Sequence, residues 1–142
     1  MTKTTPHAPA GHHTVTPYVI VPDARAAIAF WEKAFGAVQT SLNVDDTGKV
    51  RHAEVRVGDS PVMLAETFEF NGISAAAPAA IGRTSMHLYL YVPDVDALFA
   101  QAIAAGAREV MAVADQNYGD RSGGVVDPFG HVWWLATHVG TR

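Results

Sequence analysis

The chain has no cysteine. That excludes disulfides, thiolate metal sites and a cysteine nucleophile, and it accords with a reducing cytoplasm, the expected location. No stretch approaches the roughly 18 consecutive apolar residues of a membrane span, and no signal-peptide pattern opens the chain, so no membrane partner is expected. Positive charge is scarce too. Ten Lys and Arg stand against fourteen Asp and Glu, a formal net charge of −4, and the ten are scattered, which argues against a nucleic-acid partner. Gly123-Gly124 is an isolated pair with no GxxxxGKS/T or GxGxxG pattern around it, so no phosphate loop is present. No Ser-His-Asp constellation follows from spacing either.

What remains is ordinary in bulk and unusual in arrangement. With 142 residues, 49% of them hydrophobic and 17% charged, the chain suits one globular domain, which at this size buries about 68% of its unfolded surface. Val15-Thr16-Pro17-Tyr18-Val19-Ile20-Val21-Pro22-Asp23 is echoed 71 residues later by Met86-His87-Leu88-Tyr89-Leu90-Tyr91-Val92-Pro93-Asp94, and Leu64-Ala65 recurs at the same offset as Leu135-Ala136. A repeat of this kind implies a pseudo-twofold fold with a cleft between related sheets.

Each copy reads βαβββ. In the first, strand 15–21 stops at Pro22-Asp23, Asp23 caps a helix over 24–35, and Gly36 ends it. Ile28, Trp31 and Phe35 form that helix's buried stripe. Strands 37–44 and 49–57 follow as a hairpin around Asp45-Asp46-Thr47-Gly48, then strand 61–66. In the second, strand 86–92 leads through Asp94 into a helix over 95–105 ended by Gly106. Strands near 108–113, 121–126 and 131–138 complete it, the last two joined by Asp127-Pro128-Phe129-Gly130. The fold class is α+β, two tandem βαβββ modules with curved mixed sheets: a single domain over 14–139, with modules 14–66 and 85–139. Residues 67–84 suit a surface connection without further elements. Residues 1–13, which hold His7, His12 and His13, read as a disordered leader.

Strand parity separates two faces. The helix-covered face takes Val19, Val21, Val55, Val57, Leu88, Leu90, Val92, Trp133 and Leu135. The other carries Thr16, Tyr18 and Ile20; His52, Glu54 and Arg56; Met63 and Ala65; His87, Tyr89 and Tyr91; and Trp134, Ala136 and His138. Rings with a few ionisable groups make a small-molecule pocket. Self-packing of these aromatics, or packing on a dimer partner, is the plainer reading of the same pattern.

The Val-Pro-Asp strand exits, His52-Ala53-Glu54 leading into Val62-Met63-Leu64, and above all Tyr118-Gly119-Asp120-Arg121 followed by Asp127-Pro128-Phe129-Gly130-His131-Val132-Trp133 resemble the vicinal oxygen chelate superfamily. This is the glyoxalase and bleomycin-resistance fold, and the resemblance is closest to its PhnB-like branch. It spans residues 14–139 and implies paired modules, a cavity within each curved sheet, and a homodimer. Metal-dependent members place a ligand on the first and last strand of each module. The resemblance puts those positions at Thr16, Met63, His87 and Trp134, of which His87 alone is a good donor. A thioether and an indole do not suit hard or borderline divalent ions, so no metal and no other cofactor is expected.

Single residues stay open between roles. His87 either bonds a ligand, acts as acid or base, or bonds a neighbouring Tyr. His52 and Glu54 form either a binding or acid/base pair, two legs of a displaced metal site, or a solvated strand edge with Arg56 as partner. Glu66 has the parity of Leu64 and points away from the pocket. Asp120 and Arg121 lock their loop by an ion pair or line the pocket mouth. His131 is a turn or edge residue, and His138 lies at a rim or in solvent. The expectation is a metal-free protein that binds a hydrophobic, largely planar aromatic small molecule, as antibiotic-sequestering resistance proteins of this fold do. Tyr18, His52, Glu54, Met63, His87, Tyr89, Tyr91 and Trp134 would bind it, with no catalytic residue. The alternative is a glyoxalase-, isomerase- or dioxygenase-like enzyme using a metal or an acid/base step.

Overall fold

The computed structural model describes residues 7–140. They divide into two compact units: one runs up to Glu32 and resumes over Gly36–Ala76, and the other comprises Lys33–Phe35 with the chain from Ala77 onward.

The first unit opens with β1 (Tyr18–Val21) and most of α1 (Ala24–Phe35), whose last turn belongs to the second, followed by β2 (Val38–Val44), β3 (Val50–Val57) and β4 (Ser60–Glu66). Its four-stranded sheet has the order β1-β4-β3-β2, with β1 parallel to β4 and the other neighbours antiparallel. The helix starts where Asp23, in extended conformation, accepts a hydrogen bond from the Ala26 N–H, and it stops where Gly36 turns left-handed at φ 71°. Ile28 and Trp31 lie buried along α1, and the sheet supplies Val19, Val21, Val55, Val57 and Leu64 as its buried layer. These strand residues follow the alternation expected from sequence.

Residues 67–84 are more structured than expected. They contain the hairpin β5 (Phe68–Phe70) and β6 (Ile73–Ala75) and one helical turn, α2 (Pro78–Ile81). The reason is turn chemistry. Asn71 and Gly72 both have positive φ, 49° and 80°, the pair a tight two-residue hairpin needs. Pro78 sits in the first turn of α2, and Gly82 closes it in left-handed conformation.

In the second unit, β7 (Leu88–Tyr91), α3 (Val95–Ala105), β8 (Arg108–Asp115), β9 (Asp120–Val126) and β10 (Val132–His138) form a sheet of order β7-β10-β9-β8. It repeats the first topology, with β7 parallel to β10. Asp94 caps α3 through the Ala97 N–H and Gly106 ends it. Trp133, Leu135 and Val125 are fully buried, and Phe35 packs on Trp133 with ring centroids 4.4 Å apart. Leu88, Leu90 and Val92, expected on the covered face, are only half-buried. The two helices also differ: Ala102 occupies the position, 71 residues on, that Trp31 fills in α1, a methyl group in place of an indole.

The duplication extends to how each helix is tied to its sheet. Glu66 accepts a hydrogen bond from the Ala24 N–H at 2.9 Å, and Thr137, 71 residues later, accepts one from the Val95 N–H at 3.0 Å. Both satisfy an orphan donor of a helix's first turn. Glu66 thus faces the helix side, as its parity requires. Among the described residues, no helix is long and apolar enough to cross a membrane.

Candidate functional site

On the uncovered face of the first unit, Tyr18, Met63 and Glu54 form one row across three strands. His52 sets its ring edge-on to Tyr18, with centroids 5.5 Å apart at 89°. Glu54 does not use Arg56 as its partner. Its Oε2 accepts from the Thr40 hydroxyl at 3.0 Å, and its Oε1 accepts from His12 Nε2 at 2.8 Å. Burial favours the neutral acid, but the hydrogen bonds from His12 and Thr40 outweigh it and bring the Glu54 pKa below its usual value. His12 is raised, chiefly by that same bond to Glu54. Its Nδ1 approaches the Ala10 carbonyl at 3.4 Å. Acceptors on both sides favour the doubly protonated imidazolium.

From sequence, residues 1–13 read as a disordered leader. Residues 1–6 lie outside the described residues, but 7–13 form turns and bends, and His12 is half-buried against Glu54. Composition alone hid a partner 42 residues away in sequence.

The second unit brings His87, Tyr89, Tyr91 and Trp134 together on one face. Tyr89, Trp134 and Gly124 form a row across β7, β10 and β9. Gly124 is the seat of the indole: a Cβ there would lie 2.6 Å from Trp134 Cζ3. The indole N–H donates to His87 Nδ1 at 2.9 Å. Because an indole nitrogen can only donate, that His87 nitrogen is the unprotonated acceptor and Nε2 carries the ring proton. His87 therefore bonds a tryptophan, not a tyrosine.

Further along the same face lies a polar network. Asp120, 3% exposed, accepts from the hydroxyls of Tyr89 (2.7 Å) and Tyr91 (2.9 Å) on Oδ2, and from His138 Nδ1 (2.9 Å) on Oδ1. The bonds from His138 and then Tyr89 hold the Asp120 carboxyl below its usual range. Burial, followed by the bond to Asp120, pushes the Tyr89 phenol well above its usual value, and the bond to Asp120 raises Tyr91. Tyr91 nonetheless leaves 61% of its surface open and Tyr89 45%. The expected alternatives for Asp120 and Arg121 divide: Asp120 joins the aromatic face, while Arg121 grips Asp96 with two nitrogens at 2.8 and 3.0 Å and Asp115 with a third contact at 3.2 Å. His131 is buried, and its N–H donates to Asp127.

Asp120, His138, Gly124, Thr40 and His12 were absent from the sequence-derived binding set. A signal existed for three of them. Register counted outward from the Asp127–Gly130 turn places Gly124 opposite Trp134 and Asp120 opposite His138.

The four positions assigned by resemblance to metal ligands do not fit a metal. Thr16 offers a neutral hydroxyl and Met63 a soft thioether. The Trp134 nitrogen has no lone pair to give, and its N–H already occupies His87 Nδ1. Among the described residues, no three His, Asp or Glu side chains come together in a way that could hold a metal ion.

Comparison with known proteins places this geometry in a family. The model of the Glyoxalase/Bleomycin resistance protein/Dioxygenase superfamily matches residues 10–135. The chain is 41% identical over 126 residues to the uncharacterized protein Rv0887c of Mycobacterium tuberculosis, covering 88% of this chain and 74% of that one. It is similar in structure to TioX from Micromonospora sp. ML1, with TM-score 0.71 and 28% identity over 89% of this chain and 98% of that one. The fold is also that of the PhnB protein from Bacillus cereus, with TM-score 0.64 and 18% identity over 88% and 99% of the two chains. With nearly its whole length matched and the paired βαβββ modules in place, the chain belongs to the glyoxalase/bleomycin resistance/dioxygenase superfamily, the vicinal oxygen chelate fold.

Proposed function

We propose that this protein binds a hydrophobic, largely planar small molecule without a metal and without turning it over, and that its biological use is sequestration of an aromatic compound such as an antibiotic. The observation that carries the reading is Trp134. Its ring is seated on Gly124 and held at its nitrogen by His87, so it is fixed in orientation before any ligand arrives, and it remains half-exposed. A rigid aromatic plane loses little entropy on binding and stacks well on a flat guest. Tyr89 lies beside it in the strand row and Tyr91 two residues further along β7, their hydroxyls engaged by Asp120 and their rings open. The first unit has a face of its own, on which Tyr18, His52, Glu54 and Met63 supply a ring, a polar edge and an adaptable wall. The reading includes a cytoplasmic homodimer, which sedimentation of the full chain would check.

Tryptophan emission tests it. Trp31 and Trp133 are buried, so a guest on the face quenches chiefly Trp134. Titration with an anthraquinone-like or bleomycin-like compound should quench saturably at micromolar concentration or below, and Trp134→Ala should abolish the effect. Equal quenching in the variant would overturn the assignment.

A second reading has one observation in its favour. Asp120 and His138 form a carboxylate–imidazole pair beside two phenols, an arrangement able to move protons. Turnover of hemithioacetals or catechols by metal-free protein, lost in His138→Ala, would favour an enzyme over a binder.

A further inference from the structure

At the turn end of the second unit lies a cavity of about 560 Å³. That is within the 300–1,000 Å³ range of small-molecule sites. Its floor is a row across three strands, in which Arg108 pairs with Val126 and Val126 with Val132. Its wall is α2 and the residues after it, Gly82, Arg83 and Thr84. Floor and wall are locked together by packing. The Ala79 N–H donates to the Phe129 carbonyl at 2.9 Å, and Gly130, at φ 91°, sits so close to α2 that a Cβ would lie 2.4 Å from the Ala79 nitrogen.

The electrostatics of this cavity favour an anion. Arg83 and Arg108 both line it, and neither guanidinium has an ion-pair or hydrogen-bond partner among the described residues, whereas that of Arg121 is held by two aspartates. The carboxylate in the lining, Asp127, is turned to other work: its oxygens accept from the Phe129 and His131 N–H groups and from the Trp133 indole N–H. Two guanidinium groups thus present unused donor forks to one open cavity, in a chain whose net charge is −4. Pro78, Val126, Pro128 and Val132 make much of the remaining lining apolar.

We propose that this cavity binds a small amphipathic oxyanion, an aryl or short alkyl phosphate or carboxylate, with its acidic group on Arg83 and Arg108 and its apolar body on Val126 and Val132. The site lies two residues along β9 and β10 from the Trp134–Gly124 row, on the same face of the sheet, and Trp134, Tyr89, Tyr91 and His87 do not line it.

Nuclear magnetic resonance of the full chain labelled with nitrogen-15 tests the proposal, with phenyl phosphate, phenylacetate, inorganic phosphate and neutral benzyl alcohol as probes. Expected are saturable shifts of the Arg83 and Arg108 Nε–H signals and of the Gly82, Gly106 and Gly130 amides. Phenyl phosphate should bind at least about tenfold tighter than inorganic phosphate and weaken with added salt, and benzyl alcohol should leave the arginine signals unmoved. Arg83→Gln and Arg108→Gln should each weaken phenyl phosphate by about tenfold or more with unchanged melting temperature, since neither arginine has a partner to lose. If either variant alters the whole spectrum, the other carries the test. Shifts that never saturate, that centre on Trp134 and the tyrosines, or that persist unchanged in both variants would overturn the proposal. None of these results depends on whether an aromatic guest quenches Trp134.

Discussion

Gly124 and Trp134 act as one unit, because the indole occupies the space a side chain at 124 would need. Gly124→Ala should therefore destabilise the protein by about 1–3 kcal/mol, the usual cost of overpacking, although alanine is otherwise no worse than glycine in a strand. Gly124→Ala with Trp134→Ala should cost less than the two changes summed, and urea unfolding of the four proteins in the cycle would measure the coupling. Asp120 supplies a second residue-scale expectation. Its carboxyl is held low by His138 and the tyrosines, so its contribution is present above the ordinary carboxylate value and is lost as pH falls through the lower folded-state value. Tyr89, raised by burial and by Asp120, contributes fully below the ordinary phenol value near 10 and progressively less above it. Denaturation across pH should show Asp120→Asn flattening the acid limb and Tyr89→Phe the alkaline limb. A profile unchanged in both variants would mean the network is not coupled to folding.

At the scale of elements, both helices have the bounds expected from sequence, 24–35 and 95–105. Their stops are written locally: a capping aspartate before each and a left-handed glycine after it. Asp94→Ala should cost about 1 kcal/mol, read as a drop in melting temperature, and Asp94→Asn should recover most of it. Strand interiors were equally legible, since period-two alternation is also local. Strand ends were less so: β1 begins at Tyr18 and β7 at Leu88, later than the β-forming residues suggest, because pairing with β4 and β10 sets those limits. The β5–β6 hairpin was missed although its Asn71-Gly72 turn was visible, since three-residue strands carry too little alternation to register. The docked segment 7–13 makes its own prediction. Its His12–Glu54 contact lasts while His12 is charged and Glu54 ionised, so it is lost as pH rises through the raised His12 value and as pH falls through the lowered Glu54 value. Hydrogen exchange near Gly11 and His12 should speed up at both extremes, and His12→Ala should give the fast rate throughout.

For the whole molecule, duplication made the fold readable: one pattern printed twice leaves little freedom in topology. The uncovered sheet faces were readable to the extent that strand parity governs them, and their ring content follows from it. The hydrogen bonds that organise those faces were not readable that way. Asp120 with His138 needed the hairpin register counted from its turn, and His12 with Glu54 joins residues 42 apart that no local pattern connects. Sequence similarity adds family membership but no ligand, since Rv0887c is itself uncharacterized.

The seating of one ring on a bare backbone position also implies an order of events in the history of the two modules. A tryptophan could enter position 134 without a clash only after position 124 had lost its side chain. The reverse path is closed in the same way: while the ring stays, 124 must remain glycine, but a smaller residue at 134 would release it. Drift at these two positions should therefore run as a ratchet, with Gly124 the last of the pair to change.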